Sequence, residues 1–362
     1  MEKRAELIFQ PVKIGTKTAK NRIMMPPLVY FGLDVSGGAV GGVRLEHYEQ
    51  RARDGVGTIV VEAAAVDRDY IITPCQIGAW DDSNIAELSE LAGRVKRHGS
   101  LCVIQLQHAG GKPYAPVNAN PFGPSAGEYL GHNMREATVW ELERVVEQYV
   151  ESALRMREAG FDGIEIHNAH GYLLTQMASP LLNRRGDEYG GAIERRMKLS
   201  LDILRAVREA CGADFIIGTR FGANEPTYAE GIEIAKLYEA GGIDYFSASN
   251  GYRDETVPES EVPEGFEYNS IAYGGTLVKR AVKNTPVAVV NSIATVERGE
   301  WLLKNGYADI IAYGRPLLAN GNFIRDYTKS AGSEAICSHC KRCFFTHDSS
   351  KCPANSARRA GR

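Results

Sequence analysis

The stretch FDGIEIHNAHGYLLTQMASPLLNRRGDEYGG, Phe161 to Gly191, opens as an apolar strand and ends in a cluster of side chains that handle protons. Ile164 and Ile166 read as one face of a buried strand, so His167 falls where the strand leaves the core and meets a loop. In a barrel of parallel strands that edge is where the chemistry is done. His170, Gly171 and Tyr172 lie too far along to continue the strand, and Gly171 permits a sharp turn that can aim both neighbours at one point. Read blandly, His167 is a capped strand end and Tyr172 a core aromatic. Two imidazoles and a phenol within six residues argue instead for a group that holds an oxyanion or delivers a proton.

Working outward, short β-rich runs separated by amphipathic segments recur at 21–29, 57–63, 101–107, 161–167, 215–220, 243–249, 286–291 and 309–314. Between them lie helical patterns such as IAELSELAGRVKRHG and RMKLSLDILRAVREACG, most of them ending in Gly as a C-cap would. This alternation implies parallel strands joined by right-handed crossovers, and eight repeats let the sheet close into a single (β/α)8 TIM barrel. An open doubly wound sheet is the alternative. Against it, no G-x-G-x-x-G follows the first strand, and polar residues stand at the strand ends throughout the series.

Those ends are Pro26-Pro27-Leu28-Val29, Glu62-Ala63, Gln105-Leu106-Gln107-His108, His167, Arg220, Asn291-Ser292 and Gly314-Arg315. As a set they predict one shared cavity at the carboxyl edge of the barrel. Aromatic residues expected near its mouth are Tyr30, Phe31, Tyr252 and Tyr273.

The chain has 362 residues, long enough for such a barrel of roughly 250 residues with insertions. Its 42 basic and 45 acidic residues are interspersed and leave a net charge of −3, which offers no field for nucleic acid. The N-terminal MEKRAELIFQPVKIG lacks the apolar run of a signal peptide, and no segment approaches a membrane span, so a cytoplasmic enzyme is expected. Residues 1–330 are assigned to the barrel and 331–362 to a short cysteine-rich extension.

Of seven cysteines, four crowd into that extension as Cys337, Cys340, Cys343 and Cys352, with the spacing C-x2-C-x2-C-x8-C. In a reducing compartment a disulfide framework is not expected, and the crowding asks for a metal. Three closely spaced thiolates and a distant fourth suit a [4Fe-4S] cluster, whereas structural zinc more often uses two separated C-x2-C pairs. Zinc remains the alternative, with His339 and His347 available for a Cys3His site, and free thiols the third reading. Cys75, Cys102 and Cys211 read as ordinary buried or loop thiols.

The run HNAHGYLLTQMASPLLNRRGDEYGGAIERR closely resembles the signature of the Old Yellow Enzyme family of NADH:flavin oxidoreductases. The resemblance covers the barrel from about Phe9 to Phe323 and implies FMN as cofactor. By it, His167 and His170 hydrogen-bond the carbonyl or phenolate oxygen of a ligand stacked over FMN, and Tyr172 is the proton donor. Pro27, Leu28 and Ala63 match backbone along the isoalloxazine edge, Gln105 matches the side chain on the pyrimidine ring, and Arg220 matches the cation near flavin N1. Phosphate is expected between the loops after strands seven and eight, where Asn291, Ser292, Gly314 and Arg315 stand.

Departures from the family pattern accompany these matches. Val29 stands where relatives carry a Cys or Thr that touches the flavin, Asn291-Ser292 where many carry glycine, and Gly111 where an Arg often follows His-Ala-Gly. The tail resembles the cluster-bearing branch that includes trimethylamine dehydrogenase and the bacterial 2,4-dienoyl-CoA reductases, although its fourth-cysteine spacing is shorter.

The activity so implied is reduction of the C=C bond of an α,β-unsaturated carbonyl compound, with NAD(P)H or a protein donor as the source of electrons. Within the same fold, a dehydrogenase or demethylase exporting electrons through the cluster to a protein acceptor is the alternative. A zinc-stapled barrel acting as a binding subunit without redox chemistry is a third reading, and a metal-dependent hydrolase barrel a more distant one. Assembly as a homo-oligomer is open.

Overall fold

The computed structural model describes residues 6–252, 261–330, 337–340 and 343–354. Eight strands form a closed barrel: β1 Ile23–Met25, β2 Thr58–Ala65, β3 Leu101–Gln107, β4 Gly163–Asn168, β5 Ile216–Gly222, β6 Tyr245–Ser249, β7 Val287–Val290 and β8 Ile310–Ala312. They pair in chain order, β8 closes onto β1, and every pair is parallel. Each strand is followed by a helix: α1 Gly41–Asp54, α2 Ile85–Lys96, α3 Val139–Glu158, α4 Lys198–Cys211, α5 Tyr228–Ala240, α6 Ser270–Ala281, α7 Val296–Lys304 and α8 Arg315–Ala319. The expected TIM barrel is therefore the observed one.

Strand parity sorts the side chains. Ile59 and Val61, Cys102 and Ile104, and Ile164 and Ile166 face the helices in one continuous hydrophobic cluster. The alternate residues Met24, Val60, Val103, Ile216, Tyr245, Ala288 and Ile310 fill the barrel together with Val12, Ile14 and Ala19. Those last three come from an antiparallel hairpin, Val12–Ile14 with Lys17–Ala19, which closes the amino end of the barrel.

The first run is shorter than its sequence suggests, because Pro26 and Pro27 have no N–H to give the ladder and β1 stops at Met25. In β2 the register with β3 shifts between Val61 and Ala64. That irregularity surrounds Glu62, which is fully buried and grips Arg44 of α1 at 2.8 Å. Glu62 also accepts the backbone N–H of Tyr30 at 3.0 Å, so one buried carboxylate fixes the loop that follows β1.

Two additions cover the carboxyl end. Between β3 and α3 a small sheet of Phe122–Gly123, Gly127–Tyr129 and His132–Glu136 brings Tyr129 and Met134 over the barrel. The C-terminal segment returns to the loop after β1. There Phe345 is buried in the main cluster against Tyr30 and His47, with ring centroids 5.7 Å from each. Phe31 N–H donates to the Thr346 carbonyl at 2.7 Å, and the Phe31 and His347 rings stack at 5.3 Å. Residues 331–336, where the sequence sets the start of the extension, lie outside the described residues. Among the described residues no helix is long and apolar enough to cross a membrane.

Candidate active site

The inward parity that carries apolar residues deep in the barrel carries polar ones near its carboxyl edge. Glu165 and His167 alternate with Ile164 and Ile166 on β4, Gln105 and Gln107 end β3, Arg220 lies opposite His167 on β5, and Ser247 and Ser249 end β6. His167 and Arg220 are thus register neighbours by construction.

The histidines form a chain of short contacts. His167 Nε2 faces His170 Nδ1 at 2.8 Å, and His170 Nε2 faces Ser249 Oγ at 2.8 Å. Arg220 donates to Ser247 Oγ at 3.2 Å and to Ser249 Oγ at 3.3 Å, which ties the pair to the guanidinium. Burial lowers the pKa of both imidazoles, and the charges of Arg220 and Lys112 lower it further, His170 to about 3. Both rings are neutral at neutral pH, and each offers one N–H and one lone pair. His167 Nδ1 is buried with no hydrogen-bond partner.

The turn that sets this geometry is left-handed at His170 (φ 62°) and Gly171 (φ 75°). At Gly171 a Cβ would lie 2.1 Å from Tyr129 Oη, whose hydroxyl donates to the Gly171 carbonyl at 2.8 Å. Tyr172 follows, its ring centroid 5.2 Å from that of His167. Burial raises its phenol to about 12, so it stays protonated at neutral pH.

Beneath the histidines sits Glu165. Its carboxylate accepts from Gln105 Nε2 at 2.8 Å and from Tyr245 Oη at 2.9 Å. Burial pushes it up to about 7, while the nearby Arg220 charge, Tyr245 and Gln105 pull it down. The same burial lowers the Arg220 pKa, and Glu165 opposes that shift.

A cavity of about 260 Å³ opens beside this network, lined by Leu28, Arg220, Asn291, Ser292, Gly314 and Arg315 among others. Six of the ten residues expected to hold the cofactor therefore meet on one wall. Pro27, Val29, Ala63 and Gln105 do not line it; Pro27 and Ala63 are buried, and the Ala63 carbonyl accepts from Gln76 Nε2 at 3.0 Å. Asn291 and Ser292 both adopt left-handed backbone, φ 85° and 55°, the conformation in which glycine costs least. The tail supplies His339, Cys343 and Thr346 to the same cavity.

Gln107 Nε2, His108 Nε2 and Arg220 Nε are buried without partners at this end of the barrel. Orphaned polar atoms in such number suit a planar, heteroatom-rich ligand such as a flavin.

The four tail cysteines are free, and all four line one small cavity of about 20 Å³ with Arg315 and Phe345. Cys343 borders both cavities. Among the described residues no three His, Cys, Asp or Glu side chains are gathered as they would be around a metal ion.

Several members of the site escaped the sequence reading. Tyr245 and Ser249 stand at the two ends of β6, a strand expected at 243–249 but given no site residue, and Lys112 lies five residues beyond β3. For Glu165 the signal was present: it shares the parity of His167 two residues away. Of the aromatics expected at the mouth, Tyr252 packs against Tyr129 at 5.3 Å, while Tyr30 and Phe31 hold the tail and Tyr273 packs on Tyr228 and Phe266.

Comparison with known proteins agrees with this geometry. Residues 7–332 match the model of the NADH:flavin oxidoreductase / NADH oxidase family. An NADH oxidase of Thermoanaerobacter brockii is 38% identical over 323 residues, 86% of this chain but 49% of that protein, so the chain spans about half the length of that relative. An NADPH dehydrogenase of Geobacillus sp. (strain WCH70) is 35% identical over 320 residues, 87% of this chain and 91% of the relative.

Among solved structures, the old yellow enzyme homologue from Zymomonas mobilis superposes with a TM-score of 0.79 at 26% identity, covering 95% of this chain and 99% of that one. A 2-naphthoyl-CoA reductase shares the fold with a TM-score of 0.86 at 24% identity, over 95% of this chain and 56% of the other. The chain belongs to the NADH:flavin oxidoreductase / NADH oxidase family, and with it to the enzymes that move electrons between a nicotinamide dinucleotide and a flavin.

Proposed function

We propose that this protein is an FMN-dependent ene-reductase acting on α,β-unsaturated carbonyl compounds, with NAD(P)H as electron source. The observation that carries the reading is the pair of neutral, buried imidazoles 2.8 Å apart, beside a phenol that remains protonated at neutral pH. FMN, when bound, supplies the reducing equivalents for the alkene.

The protein's own groups supply the rest. A substrate carbonyl oxygen exchanges the bond between His167 and His170 for bonds to both rings, using the unpartnered Nδ1 of His167 or the edge its rotation presents. Neutral N–H donors stabilise an enolate oxygen without first having to lose a proton. Tyr172 delivers a proton to the α-carbon, and its raised pKa keeps that proton available. Arg220, balanced by Glu165, places a fixed cation beside the cofactor, and Gln105 and the backbone of Pro27, Leu28, Val29 and Ala63 hold its rim. Gly314, Arg315, Asn291 and Ser292 are assigned to the phosphate, with Arg315 the bidentate partner.

For the tail, residues 331–362, we propose a four-thiolate centre at Cys337, Cys340, Cys343 and Cys352, because all four border one cavity. The sequence spacing favours [4Fe-4S]. Zinc is the alternative, with His339 and His347 available for a Cys3His set. Cys343 on both cavity walls favours a second functional reading, a flavin dehydrogenase that trades electrons with a partner protein.

The deciding experiment is the visible spectrum of protein purified without oxygen, compared with the supernatant after denaturation. Released flavin with a broad absorbance that bleaches on reduction supports FMN and an iron–sulfur centre. Flavin alone supports the ene-reductase with a zinc-bound or empty tail. A colourless protein sinks the reading.

A further inference from the structure

Lys112 stands apart from the other charged groups around the histidines. It follows His108-Ala109-Gly110-Gly111 in the loop after β3, and that loop is pinned: Gly111 N–H donates to Gln176 Oε1 at 3.0 Å and Lys112 N–H to the Ala109 carbonyl at 3.2 Å. The side chain runs back toward the site, with Nζ 5.1 Å from the centroid of the Tyr172 ring. Its charge reaches both His167 and His170, and withdrawal from water lowers its own pKa. Among the described residues no carboxylate and no hydrogen-bond acceptor meets this ammonium.

The contrast with other desolvated cations is instructive. Lys20, whose pKa burial also lowers, donates to the His98 carbonyl at 2.8 Å and to Ser100 Oγ at 3.3 Å. Arg220 faces Glu165 and two serines. Among the described residues Lys112 has a ring face alone, a weak partner for an ammonium drawn partly out of water. With both histidines neutral and Arg220 facing Glu165, Lys112 is, among the described residues, a positive charge without a carboxylate partner beside the proton donor.

We propose that Lys112 is a specificity-determining residue, its ammonium pairing with a carboxylate carried by the substrate, so that the site prefers activated alkenes bearing an anionic group over their neutral counterparts. The inference rests on the reading of His167, His170 and Tyr172 as the alkene-binding site.

The test compares 3-oxo-1-cyclohexene-1-carboxylate with its methyl ester, using the flavin-loaded protein and the variants Lys112→Met and Lys112→Arg. Intrinsic reactivity cancels when the carboxylate-to-ester ratio of kcat/KM is itself compared between proteins. That ratio should fall roughly tenfold or more in Lys112→Met, mostly through KM, and recover in Lys112→Arg, as expected for a charge-assisted hydrogen bond. The saturated carboxylate and ester, which cannot turn over, should show the same loss of preference in calorimetric binding. An unchanged ratio in Lys112→Met overturns the inference alone. Wild-type protein that turns over neither alkene overturns the ene-reductase reading and the inference with it.

Discussion

The turn from His167 to Tyr172 and the tail from Cys337 to Cys352 both gather reactive side chains around a point, but they are held in different ways. Every residue of the turn is fixed by strand register or by a buried hydrogen bond: His167 by β4, His170 by Ser249 and by the Asn250 carbonyl, and Gly171 by Tyr129. The contacts that tie the described part of the tail to the loop after β1 include one buried aromatic ring, one ring stack and one backbone bond. Groups on the ladder are pre-organised before any ligand arrives. In the proposed four-thiolate centre the thiols would take their final geometry from the metal between them.

The comparison breaks first at Tyr172. Tyr172→Phe should slow alkene reduction by about 10²-fold or more while leaving reduction of the cofactor by NAD(P)H nearly intact, because only the second half-reaction needs the proton. Alkene turnover that survives the change, measured by stopped flow, would remove Tyr172 from the mechanism.

On the tail side, Phe345→Ala empties the pocket formed by Tyr30, His47 and Arg51 and should cost about 3 kcal/mol of tail attachment. Limited proteolysis should then cut the tail well before the barrel, and iron or zinc content should drop. A tail as resistant as wild type would show that other contacts hold it.

A third measurement sharpens the comparison within the barrel. Glu165 is raised from 4.5 to about 7 in the folded protein, so its stabilising share is complete below about pH 4.5 and is lost as pH climbs through 7. Glu165→Gln removes that slope, and its stability relative to wild type should improve by up to about 2 kcal/mol across this window, discounted for coupling to Arg220. Parallel urea-denaturation curves at pH 4.5 and 7.5 would mean that the Arg220 charge holds the carboxylate ionised throughout.

The smallest effect is expected at Gly32, where a Cβ would fall 1.8 Å from the His347 carbonyl oxygen. Gly32→Ala should displace the tail by disrupting the bond from Phe31 N–H to Thr346, at a cost of about 1 kcal/mol. Several-fold faster proteolysis of the tail, with no change in barrel melting, is the expected signature, and an unchanged rate would place the attachment elsewhere.

The barrel was legible because its information is local. Most strands announced themselves as short apolar runs bounded by turn residues, and His167, Arg220 and Arg315 could be placed by counting to a strand end. Glu165 and Ser249 were missed because their importance arises between strands, through a register that pairs β4 with β5 and β5 with β6. Lys112 was missed for a related reason: nothing in the spacing of His108-Ala109-Gly110-Gly111-Lys112 says that the side chain folds back over Tyr172. The tail cysteines were visible as a spacing. Their convergence on one cavity depends on Phe345 docking some 300 residues from the loop that receives it, a contact no local pattern carries.

The close approach of Tyr129 to Gly171 has a consequence for descent. A turn that requires left-handed backbone at two successive positions, and admits no side chain at the second, tolerates little substitution. The loop that presents Lys112 is tied to the same turn, because Gln176 accepts from Gly111 N–H and donates to the Gly171 carbonyl, so a change of specificity there is confined to the Lys112 side chain.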